Sequence, residues 1–527
     1  MACGSRKSKR RSANPKRRTK TRFLLSRAET VVLGSKSASV SPRPSDAQSR
    51  GPFPNRFGVA ISRWMRGLHG SSEPAQAKRW AWISAWSSGL AAFFVSLCIA
   101  GPSFSADFET LKGHGGPVMD ITVSRDSGRV ATASFDNAVG IWSGRKPNWL
   151  DGHEAAVKVV RFVTDDLVVS AGDDNTLIFW NLENGSQEKR EGHTAKVMGL
   201  AVSPDGKMIA SASWDAKIGL WPVDGGAPTF LSGHSAGVNK VAFSADGAWL
   251  YSASVDGSII LWDVAAKAEK RVIVRNGFGV NVLALGGRNS NETWVAYGSQ
   301  DGITRIVDIE SGERLHDFTL ERRPILAMSL SEDGKRLATG DGHGYITVFD
   351  TETWTIESDF KAALKGPIWA LAFSKDGEVL HAGGIEDIVY SWPVAGLGKF
   401  DPMAKETPQF LRQPEQMSNG ERQFARKCSI CHALTEGSAR KAGPSLYEVF
   451  GRRAGTLPDY PYSKTLTGSD IIWTEETIDQ LFLDGPDHFI PGSKMPMQVI
   501  AKPEDRTDLV NYLKTAAGSQ DKNGETQ

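Results

Sequence analysis

Gly192-His193-Thr194-Ala195-Lys196-Val197-Met198-Gly199-Leu200-Ala201-Val202-Ser203-Pro204-Asp205-Gly206 opens on a Gly-His pair, runs through an apolar stretch of strand length and closes on a turn. A second apolar run then leads to Trp221, with Asp215 six residues before it. The same unit recurs on both sides. Gly-His pairs stand at His114, His153, His193 and His234, spaced by 39, 40 and 41 residues, and their units close at Trp142, Trp180, Trp221 and Trp262. Three further units close at Val307, Phe349 and Trp392 without a Gly-His pair at their head. A fixed period near 40 residues built from short β-type runs marks a repeat architecture, in which no unit can bury its apolar faces alone.

These repeats resemble the WD-repeat β-propeller, and their number implies seven blades of four antiparallel strands. In that family the Asp before the closing position bonds the Gly-His histidine and pins the turns of its blade. The resemblance assigns that role to Asp136, Asp174, Asp215, Asp256 and Asp301. His114, His153, His193 and His234 are therefore read as structural, since histidines on separate blades cannot converge on one ion. The last repeat ends at Trp392 on a third strand, which leaves Phe108-Glu109-Thr110-Leu111 to supply the fourth and remove the open sheet edges. The three repeats without Gly-His are expected to be less regular, a divergence that fits either a binding face or drift.

Downstream, Cys428-Ser429-Ile430-Cys431-His432 has the C-x-x-C-H spacing by which haem c is attached. The two thiols add across the haem vinyl groups, and the adjacent imidazole becomes the proximal iron ligand. The other cysteines, Cys3 and Cys98, do not form the second C-x-x-C of a four-thiolate zinc site. A redox dithiol would need no histidine at 432.

Residues 412–516 closely resemble mitochondrial-type class I cytochrome c, an all-α fold. The landmarks are Gly420 and Phe424, the haem motif, Gly443-Pro444-Ser445-Leu446, Phe450-Gly451-Arg452, Tyr462, Ile471-Ile472-Trp473, Ile490-Pro491-Gly492-Ser493-Lys494-Met495, and Leu509 with Tyr512-Leu513. The resemblance implies Met495 as the axial thioether opposite His432, with Met497 and His488 as bystanders. It implies that the Pro444 carbonyl orients the imidazole, and that Arg452, Tyr462 and Trp473 hydrogen-bond the haem propionates. Without the resemblance, those three read as an ordinary core Trp and Tyr with a surface Arg. Two departures from the family make the distal side more apolar: Phe482 stands where a tyrosine is usual, and Leu466 where a polar residue is usual. An iron with both axial positions filled offers no site for substrate, which implies electron transfer and argues against catalysis at the metal.

The N-terminus divides in two. Residues 1–64 are rich in Arg, Lys, Ser and Pro, and read as a basic extension or a mispredicted start, with Met65-Arg66 as the natural opening. Over 65–106, Lys78-Arg79 precede an uncharged run from Trp80 to Ala106 that ends in small residues, the pattern of an export signal. If retained, that run would anchor the chain in a membrane. The remaining boundaries are a propeller over 107–396, a Pro-containing linker over 397–416, a cytochrome c domain over 417–516 and a polar tail over 517–527. The first 106 residues hold 19 basic and 3 acidic side chains, so the +2 of the whole chain conceals a remainder near −14. No nucleic-acid affinity follows from it.

The chain is thus expected to be a periplasmic haem c electron carrier, with one covalent haem and a propeller that serves as a scaffold for redox partner proteins, docking on the propeller face and the haem edge. A membrane-anchored form facing the periplasm, or a mitochondrial intermembrane location, is the alternative address. The rival function is an oxidoreductase whose propeller holds a substrate or organic cofactor and passes electrons to the haem. Lys427, Lys441 and Lys494 keep part of the basic ring around the haem edge usual in the family, and Asp487 and His488 interrupt it.

Overall fold

The computed structural model describes residues 109–518, apart from 289–290, 323, 364–365, 398–413 and 438. The N-terminal extension, the signal segment, most of the linker and the end of the tail lie outside the described residues. None of the described helices is long and apolar enough to cross a membrane.

Seven four-stranded antiparallel sheets follow one another along the chain. The first blade is built from Val118–Val123, Val130–Ser134, Ala138–Ser143 and Lys146–Asp151. Blades 2 to 6 cover 157–190, 197–232, 238–275, 280–319 and 325–361. Blade 7 takes its three inner strands from 368–393 and its outer strand from Glu109–Lys112, which pairs with Ile388–Pro393 in the register Thr110↔Tyr390 and Leu111↔Val389. The first strand of the propeller therefore closes its last blade, as the end of the seventh repeat on a third strand required. Inner and middle strands are buried on both faces, and the closing residues Trp142, Trp221, Trp262, Phe349 and Trp392 are each 1% exposed.

In blades 1 to 4 the repeat landmarks form one hydrogen-bonded chain. His153 Nδ1 lies 2.8 Å from Asp174 Oδ2, its Nε2 lies 2.7 Å from Ser170 Oγ, and the Trp180 indole N–H donates to the same hydroxyl at 2.7 Å. The hydroxyl hydrogen is then free for Nε2, which leaves Nδ1–H to donate to the carboxylate. His114, His193 and His234 repeat the arrangement with Asp136, Asp215 and Asp256. Burial alone would raise the Asp174 carboxyl. The bond and charge of His153, with the backbone N–H groups of Glu154 and Thr176, outweigh it and hold the group down at about 2.

Blades 5 to 7 keep the same four-strand topology, with added register shifts at Gly286/Gly287, Ile306/Val307 and Val348/Phe349 in blades 5 and 6, and the pin changes. Asp301 meets no histidine and instead pairs with Arg305 at 2.6 Å. In blade 6, Asp341 faces Arg322 at 3.4 Å, and in blade 7 the Tyr390 hydroxyl donates to Glu386. A buried acid remains in each blade while its partner is exchanged, which conserves the electrostatic tie without the Gly-His pair.

The C-terminal region is helical: α1 at Asn419–Lys427, α2 at Lys464–Thr467, α3 at Glu475–Asp484, α4 at Pro486–Phe489 and α5 at Pro503–Ala516. Ser418 caps α1 through the Glu421 N–H, and Thr474 with Thr477 forms a capping box at α3. The helices enclose one apolar cluster containing Phe424, Cys428, Ile478, Phe482, Leu509 and Leu513. Buried Arg506 on α5 is neutralised by Asp479 at 2.8 Å and donates to the Ile500 carbonyl, so its charge has partners.

Candidate haem-binding site

The C-x-x-C-H stretch lies directly after α1. Cys428 N–H donates to the Phe424 carbonyl at 2.8 Å, Cys431 N–H to Cys428 at 3.0 Å and His432 N–H to Cys428 at 2.8 Å. A single tight turn thus carries both sulfurs and the imidazole. The cysteines are not joined to each other. Burial first, then the neighbouring Cys431, pushes the Cys428 thiol up to about 12, and burial pushes Cys431 up to about 11. Active dithiols have thiolates stabilised below the ordinary value, so these sulfurs are poorly suited to thiol–disulfide exchange. Among the described residues no group of three or more His, Cys, Asp or Glu side chains gathers to hold a metal ion.

The imidazole is fixed from behind. His432 Nδ1 donates to the Pro444 carbonyl at 2.7 Å, which leaves Nε2 with its lone pair outward. Gly443 packs against the ring, and a Cβ at that position would run into His432 Cε1 and come within 2.8 Å of Nδ1. Burial lowers the imidazole's proton affinity, as a neutral ligand nitrogen requires. Two thiols, a neutral imidazole with a free Nε2 and an apolar enclosure fit a covalently held haem.

Met495 packs against the same apolar cluster that contains Cys428 and Phe482. Its loop is tied to the haem motif by Gln498, whose amide N–H donates to the Lys427 carbonyl at 2.9 Å. Met497 is 48% exposed and His488 is exposed, so neither shares that enclosure. Trp473 lines the cluster, and Tyr462 packs edge-on against Tyr460. Arg452 donates to the carbonyls of Tyr447 and Ser445 at 2.8 and 2.6 Å. Its guanidinium thus braces the loop that follows Pro444. Tyr460, which the sequence reading passed over, bonds the Ala442 carbonyl and adds a second ring beside the motif.

The rim of this site meets the propeller. Lys494 reaches Glu154, and Arg440 pairs with Asp151 while lying 4.3 Å over the Trp149 ring. The Ala439–Arg440 backbone, at φ 44° and 51°, presses against Gly115, where any side chain would collide with it. The residue after the Gly-His pair is Glu154, Thr194 or Ser235 in blades 2 to 4. The lone glycine in blade 1 was the one available signal of this contact.

Comparison with known proteins matches residues 417–517 to the cytochrome c family model, and 107–143, 145–181, 186–222 and 227–263 to the WD domain, G-beta repeat. Cytochrome c of Sesamum indicum is 41% identical over 103 residues, which is 20% of this chain and 92% of that protein. Cytochrome c of Ginkgo biloba is 38% identical over 101 residues, 19% of this chain and 88% of that protein. Cytochrome c of Theileria parva is 37% identical over 115 residues, 22% and 98% respectively. With the C-x-x-C-H turn and its Pro444 support, these matches indicate one covalently bound haem c. Through its C-terminal domain the chain belongs to the cytochrome c family, here joined to a seven-bladed WD-repeat propeller.

Proposed function

We propose that this chain is a one-electron carrier of an exported compartment, the bacterial periplasm, in which the propeller binds redox partner proteins. Haem c supplies reversible single-electron chemistry at its iron. Cys428 and Cys431 hold the group covalently. His432, aimed by the Pro444 carbonyl, and Met495 would be the protein groups that hold the iron. Arg452, Tyr462 and Trp473 would hydrogen-bond the haem propionates, and Arg452 also stiffens the loop after Pro444. Phe482 and Leu466 keep water and competing donors off the distal face, which favours ferrous iron.

The observation that carries this reading is the joint enclosure of the Cys428 turn and Met495 in one apolar cluster. An imidazole and a thioether together would fill both axial positions of a bound haem iron, which suits electron transfer better than substrate chemistry. The basic, then apolar N-terminal segment supports export, and haem attachment to C-x-x-C-H is chemistry of that side of the membrane.

The test is the purified mature chain, recovered from the periplasm. A spectrum of haem c alone, with reversible one-electron titration and no turnover of small substrates, is the expected result. A second chromophore, or substrate-dependent reduction of the haem, would replace the carrier with an oxidoreductase whose propeller holds an organic cofactor.

A further inference from the structure

The second feature of interest lies on the propeller axis. Each innermost strand has a bulge after its first residue, between Val118 and Asp120 in blade 1 and between Val238 and Lys240 in blade 4. The registers align Asp120 with Lys240, and Thr122 with Arg161 of blade 2. At these two positions every other blade carries a small or apolar residue, such as Gly199, Ala201, Ser329 or Ala372. Small side chains leave space along the axis, and a cavity of about 510 Å³ opens there. That volume suits a small-molecule ligand.

Its wall carries Arg125, Arg161, Lys240 and Lys375 against one acid, Glu332. This is the reverse of the propeller as a whole, since residues 107–411 contain 29 basic and 41 acidic side chains. Asp120 offsets only part of this charge, through its pair with Arg161 and its pull on Lys240. Its carboxylate already accepts from the Arg161 guanidinium and from the Val160 N–H at 3.1 Å. Among the described residues no carboxylate or carbonyl lies within hydrogen-bond reach of the Lys240 ammonium. Burial, and then the nearby Arg161, push its pKa down to about 8. A partly buried ammonium with no bonded partner, on the wall of an open cavity, is stabilised when an anion joins it.

We propose that this cavity binds a small polyanion, a compact molecule bearing two or more carboxylate or phosphate groups, held by Lys240 and Arg161 with Arg125 and Lys375 at the mouth. Asp120 positions Arg161, and the small residues of the facing blades set the size limit. The site belongs to the propeller and stands independently of the haem reading.

The experiment is isothermal titration of the intact holoprotein with citrate and with pyrophosphate, at physiological ionic strength. One or both should bind saturably at one site per chain. Lys240→Met, which keeps an unbranched side chain one atom shorter and removes the charge, should weaken binding about tenfold or more, as expected for a charge-assisted hydrogen bond. Arg125→Ala at the mouth should weaken it about threefold or less. Binding of citrate alone identifies a carboxylate site, and of pyrophosphate alone a phosphate site. Neither anion binding, or equal binding to wild type and to a Lys240→Met protein with unchanged thermal unfolding, would overturn the proposal. If Lys240→Met fails to fold, Lys240→Arg should retain binding and Lys240→Gln should weaken it.

Discussion

Lys494 Nζ lies 3.4 Å from Glu154 Oε2, so the residue immediately before Met495 is tied to the loop that opens blade 2. The cation belongs to the rim of the haem site and the anion to an acidic propeller. With Arg440 on Asp151 and over Trp149, the pair ties the loop after the haem motif and the loop before Met495 to blades 1 and 2. Both side chains of the Lys494 pair are partly exposed, at 40% and 60%, so this link contributes only about 0.2–1 kcal/mol and is screened by salt. The steric fit at Gly115 is not screened.

This difference predicts a graded response. A zero-length carbodiimide should couple Lys494 to Glu154 in the native chain, detectable by mass spectrometry. Asp151→Lys with Glu154→Lys should open the contact at low ionic strength through repulsion, and Gly115→Val should open it at any ionic strength. Full coupling yield in Gly115→Val would show that the glycine is not what admits Arg440.

The sulfur ligand is separable by mutation. Met495→Ala should remove the methionine–iron charge-transfer band and lower the potential, whereas Met497→Ala at its exposed position should leave the band in place. An unchanged band in Met495→Ala, with loss in Met497→Ala, would reassign the ligand.

Attachment and orientation of the haem are predicted to fail separately. Cys428→Ser with Cys431→Ser should yield no haem that survives denaturing electrophoresis. Gly443→Val leaves both thiols in place and drives a side chain into the His432 ring, so its haem should stay covalently bound while the low-spin spectrum is lost. Retention of the low-spin spectrum in Gly443→Val would mean that the ring can shift without losing the iron.

The seven-blade ring was legible in the sequence because Gly-His, Asp and Trp sit at fixed offsets within each strand-turn-strand unit. The Asp174–His153–Ser170–Trp180 chain follows from that spacing once strands alternate their faces. The haem turn was equally legible, since the bonds that shape it span only four residues. What escaped had no motif to announce it, or depended on residues distant in sequence. Arg305 took over the pin of Asp301 from the neighbouring position on the same sheet, and no Gly-His pair announced it. The two carbonyl bonds that Arg452 donates are set by loop geometry, which no motif spacing encodes. Lys240 and Arg161 meet on the axis from separate blades, and only ring closure brings them together.

Buried histidines make the propeller acid-sensitive, and the direction follows from their shifts. Burial pushes His381 down to about 4 from an ordinary 6.5, with the charge of Asp376 only partly opposing it, while its Nδ1 lies 2.8 Å from Ser391 Oγ. A folded-state value below the unfolded one means that its contribution to stability is complete above 6.5 and is lost as pH falls through about 4. Burial also lowers His193 and His234 against the opposing pull of Asp215 and Asp256, and they act in the same direction. Below that window, Asp174 and Asp256, held at about 2, lose their contribution as the pH falls from 3.8 through 2. Thermal unfolding of the propeller, followed by far-ultraviolet circular dichroism, should therefore be flat between about 6.5 and 8, where Lys240 is charged in both states, and fall in two successive stages on further acidification. His381→Gln should reduce the slope of the upper stage and leave the lower one unchanged. Equal slopes between 6.5 and 4 in wild type and His381→Gln would mean that the ring is solvated well enough to protonate in the folded protein at its ordinary pH.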